Sequence, residues 1–309
     1  MLASIRKFRV WYQKPRSRFG EFVELVLLLV LVFIIRSVGF GLYAVPSGSM
    51  ETTMLCGERF FADKFTPLFV PFKHGDVITI DEPTYQYSKN PLFNWWQHWV
   101  GFIFWGTTNW TKRVIGVPGD HIEGKIEEGK PVVYRNGQKL DEPYVNKYPL
   151  IGVYRFDNLS PLSLPVFRSY VPGVPFEQQP FYRMSYSEVM YAKQLLTEHG
   201  YEDIRYPYTP ATTYSNNTEK SPDIFDVHLG PDEYWAMGDN RRDSTDSRFW
   251  GTLKRNFIHG KVKFCLYSID LNESWGKLEF FHIFPFDMLR HPIDFWSRVR
   301  WSRCLSAVY

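Results

Sequence analysis

Residues 43–55 read YAVPSGSMETTML and directly follow a long apolar run. They hold two serines, Ser47 and Ser49, on either side of Gly48, and no histidine precedes His74. A serine hydroxyl attacks a carbonyl only when a base removes its proton. None of the eight histidines stands in a triad context. His74 precedes a GDV turn and His121 follows PGD, so both read as loop residues. Lysine is the other choice. Lys112, in TKRVIGVPGD, heads an apolar strand and is followed by Arg113. An ordinary lysine, with a pKa of ~10.4, is protonated at neutral pH and cannot accept a proton. Bringing it to 7 or 8 takes a fall of about 3 units, roughly 4 kcal/mol, which burial in an apolar site can supply. A lysine on a strand is by itself commonly a solvated residue, so the case for Lys112 rests on its neighbours.

Upstream, residues 1–20 carry Arg6, Lys7, Arg9, Lys14, Arg16 and Arg18. The apolar stretch then runs from Phe22 to Leu42, interrupted by Glu24 and Arg36. A span of roughly 20 residues crosses ~30 Å of hydrocarbon, with Glu24 near one interface and Arg36 snorkelling toward the other. A buried core helix and a removable signal peptide are the alternatives. The long basic region and the lack of a clean A-x-A-like site favour an uncleaved anchor. The basic end is then expected to stay in the cytoplasm and the rest to lie across the membrane. Ser49, seven residues after Leu42, would be held within roughly 23 Å of the helix end, at about 3.3 Å per extended residue.

Downstream, RFFADKF, GDVITID, KRVIGV, VVYRNGQKL, EYWAMGDN and GKVKFCLYSID read as strands. Asn136-Gly137 is a two-residue hairpin signal. The fold class expected is mainly β: an antiparallel-sheet or coiled-barrel catalytic core in two sheets, with an inserted α+β region and one N-terminal transmembrane helix. The expected organisation is a basic N-terminus at 1–20, an anchor at 21–43, a catalytic core at 44–123 and 230–309, and an inserted unit at 124–229. Within the last, SYSEVMYAKQLLTEHG (185–200) is a helix candidate, with a capping box at Ser185 and Glu188 and a stop at Gly200. The basic, aromatic tail HPIDFWSRVRWSRCLSAVY fits either a membrane-interface segment or a last strand covering the core.

Composition narrows the function. Aromatics at 18% and charged residues at 22% are not those of a disordered chain. A net charge of +3, with many positive charges at the two ends, argues against a nucleic-acid surface. The three cysteines, Cys56, Cys265 and Cys304, match no metal-site spacing and no disulfide framework. They read as small apolar residues, with one bridged pair left open if the domain is exported.

PSGSM, GDVITI, KRVIGVPGD and MGDNRRDSTDSRFWG occur in that order after the anchor. Together they resemble bacterial type I signal peptidase, a membrane-bound Ser-Lys endopeptidase. The resemblance implies that Ser49 is the nucleophile and Lys112 the general base. Ser47, with the Ser49 backbone N–H, would form the oxyanion hole, and Ser244 would orient the lysine amine. Asp239, Asp246, Arg113 and Arg248 match charged residues that brace the site, and Asn240 and Gly238 match turn positions. Thr52 stands where family members usually carry proline, and one anchor is visible where some members have two. The implied partners are preprotein signal peptides with small residues at the first and third positions before the cut, the lipid bilayer and the secretion translocon. The implied location is the inner membrane, single-pass, with the catalytic part on the outer side. No metal, cofactor or nucleic acid is implied. The competing readings are a Ser-Lys protease that cleaves itself or a regulatory protein, and an inactive membrane-anchored binding protein of the same fold.

Overall fold

The apolar run forms helix α1, Arg18–Ile34, continued by a π-helical turn at Ile35–Gly39. The structure is a computed structural model that describes residues 18–45, 47–55, 57–99, 109–146, 150–153, 166–169, 221–269, 293, 296 and 299–309. The segment Arg18–Gly39 is long and apolar enough to cross a membrane, with a mean hydropathy of 2.5, and none of it is buried against the protein. A helix that is apolar all round needs either a protein core or lipid around it. The buried-core alternative therefore does not describe α1.

The span ends earlier than the sequence suggests. Phe40–Ala44 leave the helix and form strand β1. Glycines at 39 and 41 weaken helix on both sides of Phe40, and Gly41 leaves room for the Tyr43 ring. A Cβ there would meet the Tyr43 ring at 2.3 Å. The helix end is tied to the sheet, because the Gly39 carbonyl accepts from the backbone N–H groups of Lys64 and Phe65 at 3.0 and 3.2 Å.

Strands β2 (Glu58–Asp63), β3 (Val77–Asp81), β4 (Asn109–Gly116), β5 (His121–Glu127), β6 (Lys130–Arg135) and β7 (Gln138–Lys139) follow in chain order. Beyond them lie β8 (Leu150–Val153), β9 (Val166–Ser169), β10 (Phe225–His228), β11 (Glu233–Met237), β12 (Leu253–Lys254) and β13 (Ile258–Ser268). Among the described residues, two helices join them: α2, Pro91–Trp99, and α3, Ser247–Trp250. A seven-stranded sheet has the order β1-β2-β13-β3-β4-β11-β12, a four-stranded sheet the order β10-β5-β6-β7, and β8 pairs with β9. All pairings among the described residues are antiparallel. The mainly β expectation holds. Asn136 and Gly137 both have positive φ (52° and 77°), the backbone that a two-residue hairpin turn requires.

The two sheets share apolar contacts. Ile115, Trp235 and Met237 of the large sheet pack with Ile122 and Val133 of the small one. Ile78, Ile80, Val114, Leu253 and Ile258 form a second cluster. Each such side chain, fully buried, contributes about 1.5–3 kcal/mol. β3 is buried along its whole length, so this central strand gives β4 a fixed platform.

Helix α2 had no counterpart in the sequence reading. Its start is legible in retrospect: Asn90 caps it, accepting from the N–H groups of Leu92 and Phe93 at 3.0 and 3.2 Å, and Pro91 takes the first helical position. The expected boundary at 123/124 falls inside β5. The helix candidate at 185–200 lies outside the described residues. Among the described residues the tail forms no strand, but its final residues lie along the core, with an isolated antiparallel bridge between Ala307 and Phe264. β3 pairs with β13 only from Ile258 to Lys261, and further along β13 the tail takes the vacated edge. Cys265 N–H donates to Ser306 at 2.8 Å and Val308 N–H to Lys263 at 3.1 Å. Trp301 and Leu305 remain exposed. Cys265 and Cys304 are both unbridged.

Candidate active site

Lys112 lies on β4 directly opposite Ile78 of β3. Its side chain is 4% exposed, and its Nζ donates to Ser49 Oγ at 3.2 Å. Removal from water pushes the lysine pKa down to about 8, against the pull of Asp246, Asp243 and Asp239, which favour the charged form. Ser49 sits in a single 3₁₀ turn, Gly48–Met50. Ser47 Oγ lies 3.5 Å from Ser49 Oγ, a long contact on the same side of the turn. A serine that can pass its proton to a neutral amine, beside a second hydroxyl, is an arrangement suited to acyl transfer.

The turn is held from below by Asn240. Its backbone N–H donates to the Ser49 carbonyl at 3.0 Å and its Nδ2 to the Gly48 carbonyl at 3.1 Å. Around the dyad lies an open cleft of about 300 Å³, whose walls include Val45, Met50, Met54, Trp110, Asp243 and Thr245. β11 pairs with β4 only from Arg113 to Gly116. The edge of β4 from Asn109 to Lys112 therefore has no strand beside it on that side among the described residues.

The chain is also similar to known proteins over most of its length. A sequence profile described as signal peptidase, peptidase S26, matches residues 19–267. A signal peptidase I from Bacillus licheniformis is 29% identical over 52% of this chain and 75% of its own. The signal peptidase I of Aquifex aeolicus is 27% identical over 80% of this chain and 84% of its own. That of Buchnera aphidicola subsp. Baizongia pistaciae is 23% identical over 84% and 80%. The chain belongs to the signal peptidase family. It is a membrane-anchored serine endopeptidase of the type that removes signal peptides.

In this signal peptidase the remaining expected residues fall into two buried ion-pair clusters. Arg113 forms a two-pronged pair with Asp239, Nε to Oδ1 at 2.8 Å and Nη2 to Oδ2 at 2.6 Å. It also donates to the Gly75 and Tyr309 carbonyls at 2.8 and 2.9 Å and stacks on Tyr144 at 4.2 Å. Asp246 caps α3 and accepts from Gly238 N–H at 3.0 Å and from Arg248 Nε and Nη2 at 2.8 and 2.9 Å. Burial raises the Asp246 pKa, but Arg248 and these donors outweigh it and hold it below the ordinary carboxylate value. Arg248 reaches on to Asp223 at 2.7 Å.

Ser244 is buried near the Ser49 turn, yet among the described residues its hydroxyl has no hydrogen-bond partner, Lys112 included. The spot is tight: a Cβ on Gly238 would meet Ser244 Oγ at 2.2 Å and the Ser49 carbonyl at 2.5 Å. Only glycine at 238 lets the two loops close. Three contributors escaped the sequence reading. Thr53 donates to Asp239 at 2.5 Å, the Arg241–Glu142 pair braces the loop, and Trp110 lies 5.6 Å from the Lys112 ammonium. Trp110 was legible from strand alternation, because residues two apart share a face. The partners of Thr53 and Glu142 lie far away in sequence, and no local pattern marks them.

Proposed function

We propose that Ser49 and Lys112 are the nucleophile and general base of this signal peptidase, and that Ser47 Oγ and the Ser49 N–H form its oxyanion hole. The observation that carries the reading is the 3.2 Å contact between a buried lysine Nζ and Ser49 Oγ. Neutral Lys112 takes the Ser49 proton as Oγ attacks the scissile carbonyl carbon. The carbonyl π pair moves to oxygen, and the oxyanion is stabilised by Ser47 and the Ser49 N–H. Collapse breaks the C–N bond, and Lys112 returns the proton to the departing amine. A water, giving a proton to the same lysine, then attacks the acyl carbon; the bond from that carbon to Ser49 Oγ breaks, Lys112 returns the proton to Oγ, and the signal peptide leaves as a carboxylic acid that ionises in water.

The substrate is a preprotein whose signal ends in small residues at the first and third positions before the cut. Its extended backbone adds beside Asn109–Lys112, where β4 has no neighbouring strand. Val45, Met50, Met54 and Trp110 give the cleft its apolar lining, which favours small uncharged side chains. The basic residues before α1 stay in the cytoplasm, and the cleft opens on the outer face of the inner membrane, where the lipid surface and the translocon deliver the signal. Ser47 and Ser49 follow α1 closely in sequence, which suits a substrate whose apolar segment is still in the bilayer. Asp239, Asn240, Arg113, Asp246 and Arg248 hold the two loops that meet at the dyad, and Ser244 orients the amine. Cleavage of a preprotein by the purified chain in detergent tests the assignment. Ser49→Ala is expected to lose about 10⁴-fold or more in kcat/KM with an unchanged melting temperature. Cleavage at the wild-type rate would exclude Ser49.

A further inference from the structure

Strands β5 and β10 pair at the end of the small sheet with His121 directly opposite His228 and Asp226 opposite Glu123. Side chains alternate along a strand. Ile122 and Val227 point into the core cluster, so His121, Glu123, Asp226 and His228 share the outer face. Three of these groups converge. His121 Nε2 lies 2.6 Å from Asp226 Oδ1, and the two imidazole rings stack at 3.9 Å, nearly parallel at 7°. One ligand atom from each of His121, Asp226 and His228 lies within 4.8 Å of the others. Glu123, the fourth group on the face, is engaged by Lys125 at 2.9 Å. None of these residues lines the cleft around Ser49.

We propose that His121, His228 and Asp226 form a binding site for a divalent transition-metal ion of the zinc class, which clips β5 to β10. Two imidazoles and one carboxylate suit zinc, nickel or copper and are a poor set for calcium or magnesium. Bonds of ~2.0–2.2 Å draw ligand atoms to roughly 3.4 Å from one another, within reach of rotation about the side-chain bonds of the exposed Asp226 and His228 and the half-buried His121. Water fills the fourth position on the solvent side. The backbone is already prepared. Asn136 Oδ1 accepts from His121 N–H at 2.9 Å and Asn136 N–H donates to the His121 carbonyl at 2.8 Å. Leu229 N–H donates to the Asp120 carbonyl at 2.8 Å, so the residues flanking the histidine pair are also joined.

The consequence is mechanical. β5 precedes and β10 follows the whole segment 128–224, and His121 and Asp226 are 105 residues apart. A metal bridging them closes that loop without touching the dyad.

The test uses the full chain in detergent, stripped with a chelator and titrated calorimetrically with zinc chloride. One zinc per chain is expected. His228→Gln and His121→Ala should each weaken binding at least tenfold, and His74→Ala should leave it unchanged. Zinc should raise the melting temperature of the wild type and not that of the His121→Ala/His228→Ala variant, whose preprotein cleavage should match the wild type in the absence of metal. Equal uptake by that variant, or no stoichiometric uptake by the wild type, overturns the site. Uptake without a rise in melting temperature overturns the clip. Should the double variant fail to fold, Asp226→Asn, exposed at its strand position, decides in its place by the same two readouts.

Discussion

Lys112 and Arg113 are neighbours on β4, both cationic by type and both almost fully buried, yet the fold treats them in opposite ways. Consecutive strand residues leave on opposite faces. Lys112 reaches a neutral hydroxyl, Ser49 Oγ at 3.2 Å, and among the described residues no carboxylate forms a hydrogen bond with it. Its charge is therefore the costly form, and burial brings the pKa to about 8. Arg113 meets a carboxylate in a two-pronged pair, two backbone carbonyls, Thr53 and an aromatic face. Arginine also cannot lose its proton in a protein. Burial alone does not decide whether a cation becomes a base. The hydrogen-bond partners on its face of the strand decide it.

The largest expected break in this comparison is Lys112→Arg. It keeps the charge and most of the length but removes the ability to accept a proton. Preprotein cleavage should fall by about 10⁴-fold or more, whereas a merely structural lysine would tolerate the change. The wild-type pH profile sharpens the point. With a folded pKa near 8, kcat/KM should rise with pH through about 8 and then level as Lys112 becomes neutral. Stability moves in the same direction. The unfolded lysine, with its pKa of ~10.4, binds more protons than the folded one above about pH 8, so this group adds stability as pH rises from about 8 to ~10.4 and removes it as pH falls through the folded value. A kinetic pKa at the ordinary lysine value would contradict the burial argument.

On the other face, Arg113→Met should act on folding. It leaves Asp239 buried without its main cation, and breaking such a pair costs about 3–5 kcal/mol. Denaturant or thermal unfolding in detergent should show that loss. The folded fraction should retain a lysine-dependent pH profile, because the dyad lies across the strand. A variant of normal stability would mean that Asp239 finds other donors.

How far each face could be read from sequence follows from the same contrast. The strands β2, β3, β4, β6, β11 and β13 were legible because each has a local signature, an apolar run or an Asn-Gly hairpin, whereas Ser49 and Lys112 were singled out only through the order of the four motifs. The end of the anchor was misread because Phe40 and Leu42 are apolar enough for lipid and also suit a strand. What places them is pairing with β2, where Phe40 stacks on Phe61, and that contact is invisible along the chain. The charged residues were found through the order of the four motifs, but their pairing was not. Arg113 chooses Asp239, and Arg248 takes both Asp246 and Asp223. Such choices depend on which loops the sheet brings together. The C-terminal tail shows the same limit, since its role at the edge of β13 exists only because β3 stops pairing at Lys261.

The smallest effect expected is also the one that discriminates most finely between the faces. Ser244 has a buried hydroxyl without a hydrogen-bond partner among the described residues, and across Gly238 it lies close to the Ser49 carbonyl. Left unpaired, such a group costs about 1–3 kcal/mol. If it serves only packing, Ser244→Ala should raise the melting temperature slightly and leave kcat unchanged. If it orients Lys112, as proposed, the hydroxyl meets the amine when substrate fills the cleft. Ser244→Ala should then lower kcat roughly tenfold to 10²-fold, with KM nearly constant and the gain in melting temperature still present. Ser244→Thr keeps a hydroxyl at that position but adds a methyl group where Gly238 already leaves no room, so it should destabilise the loop. Measuring kcat and melting temperature on the same preparations separates the two roles, because an unpaired hydroxyl kept for catalysis makes the two quantities move in opposite directions.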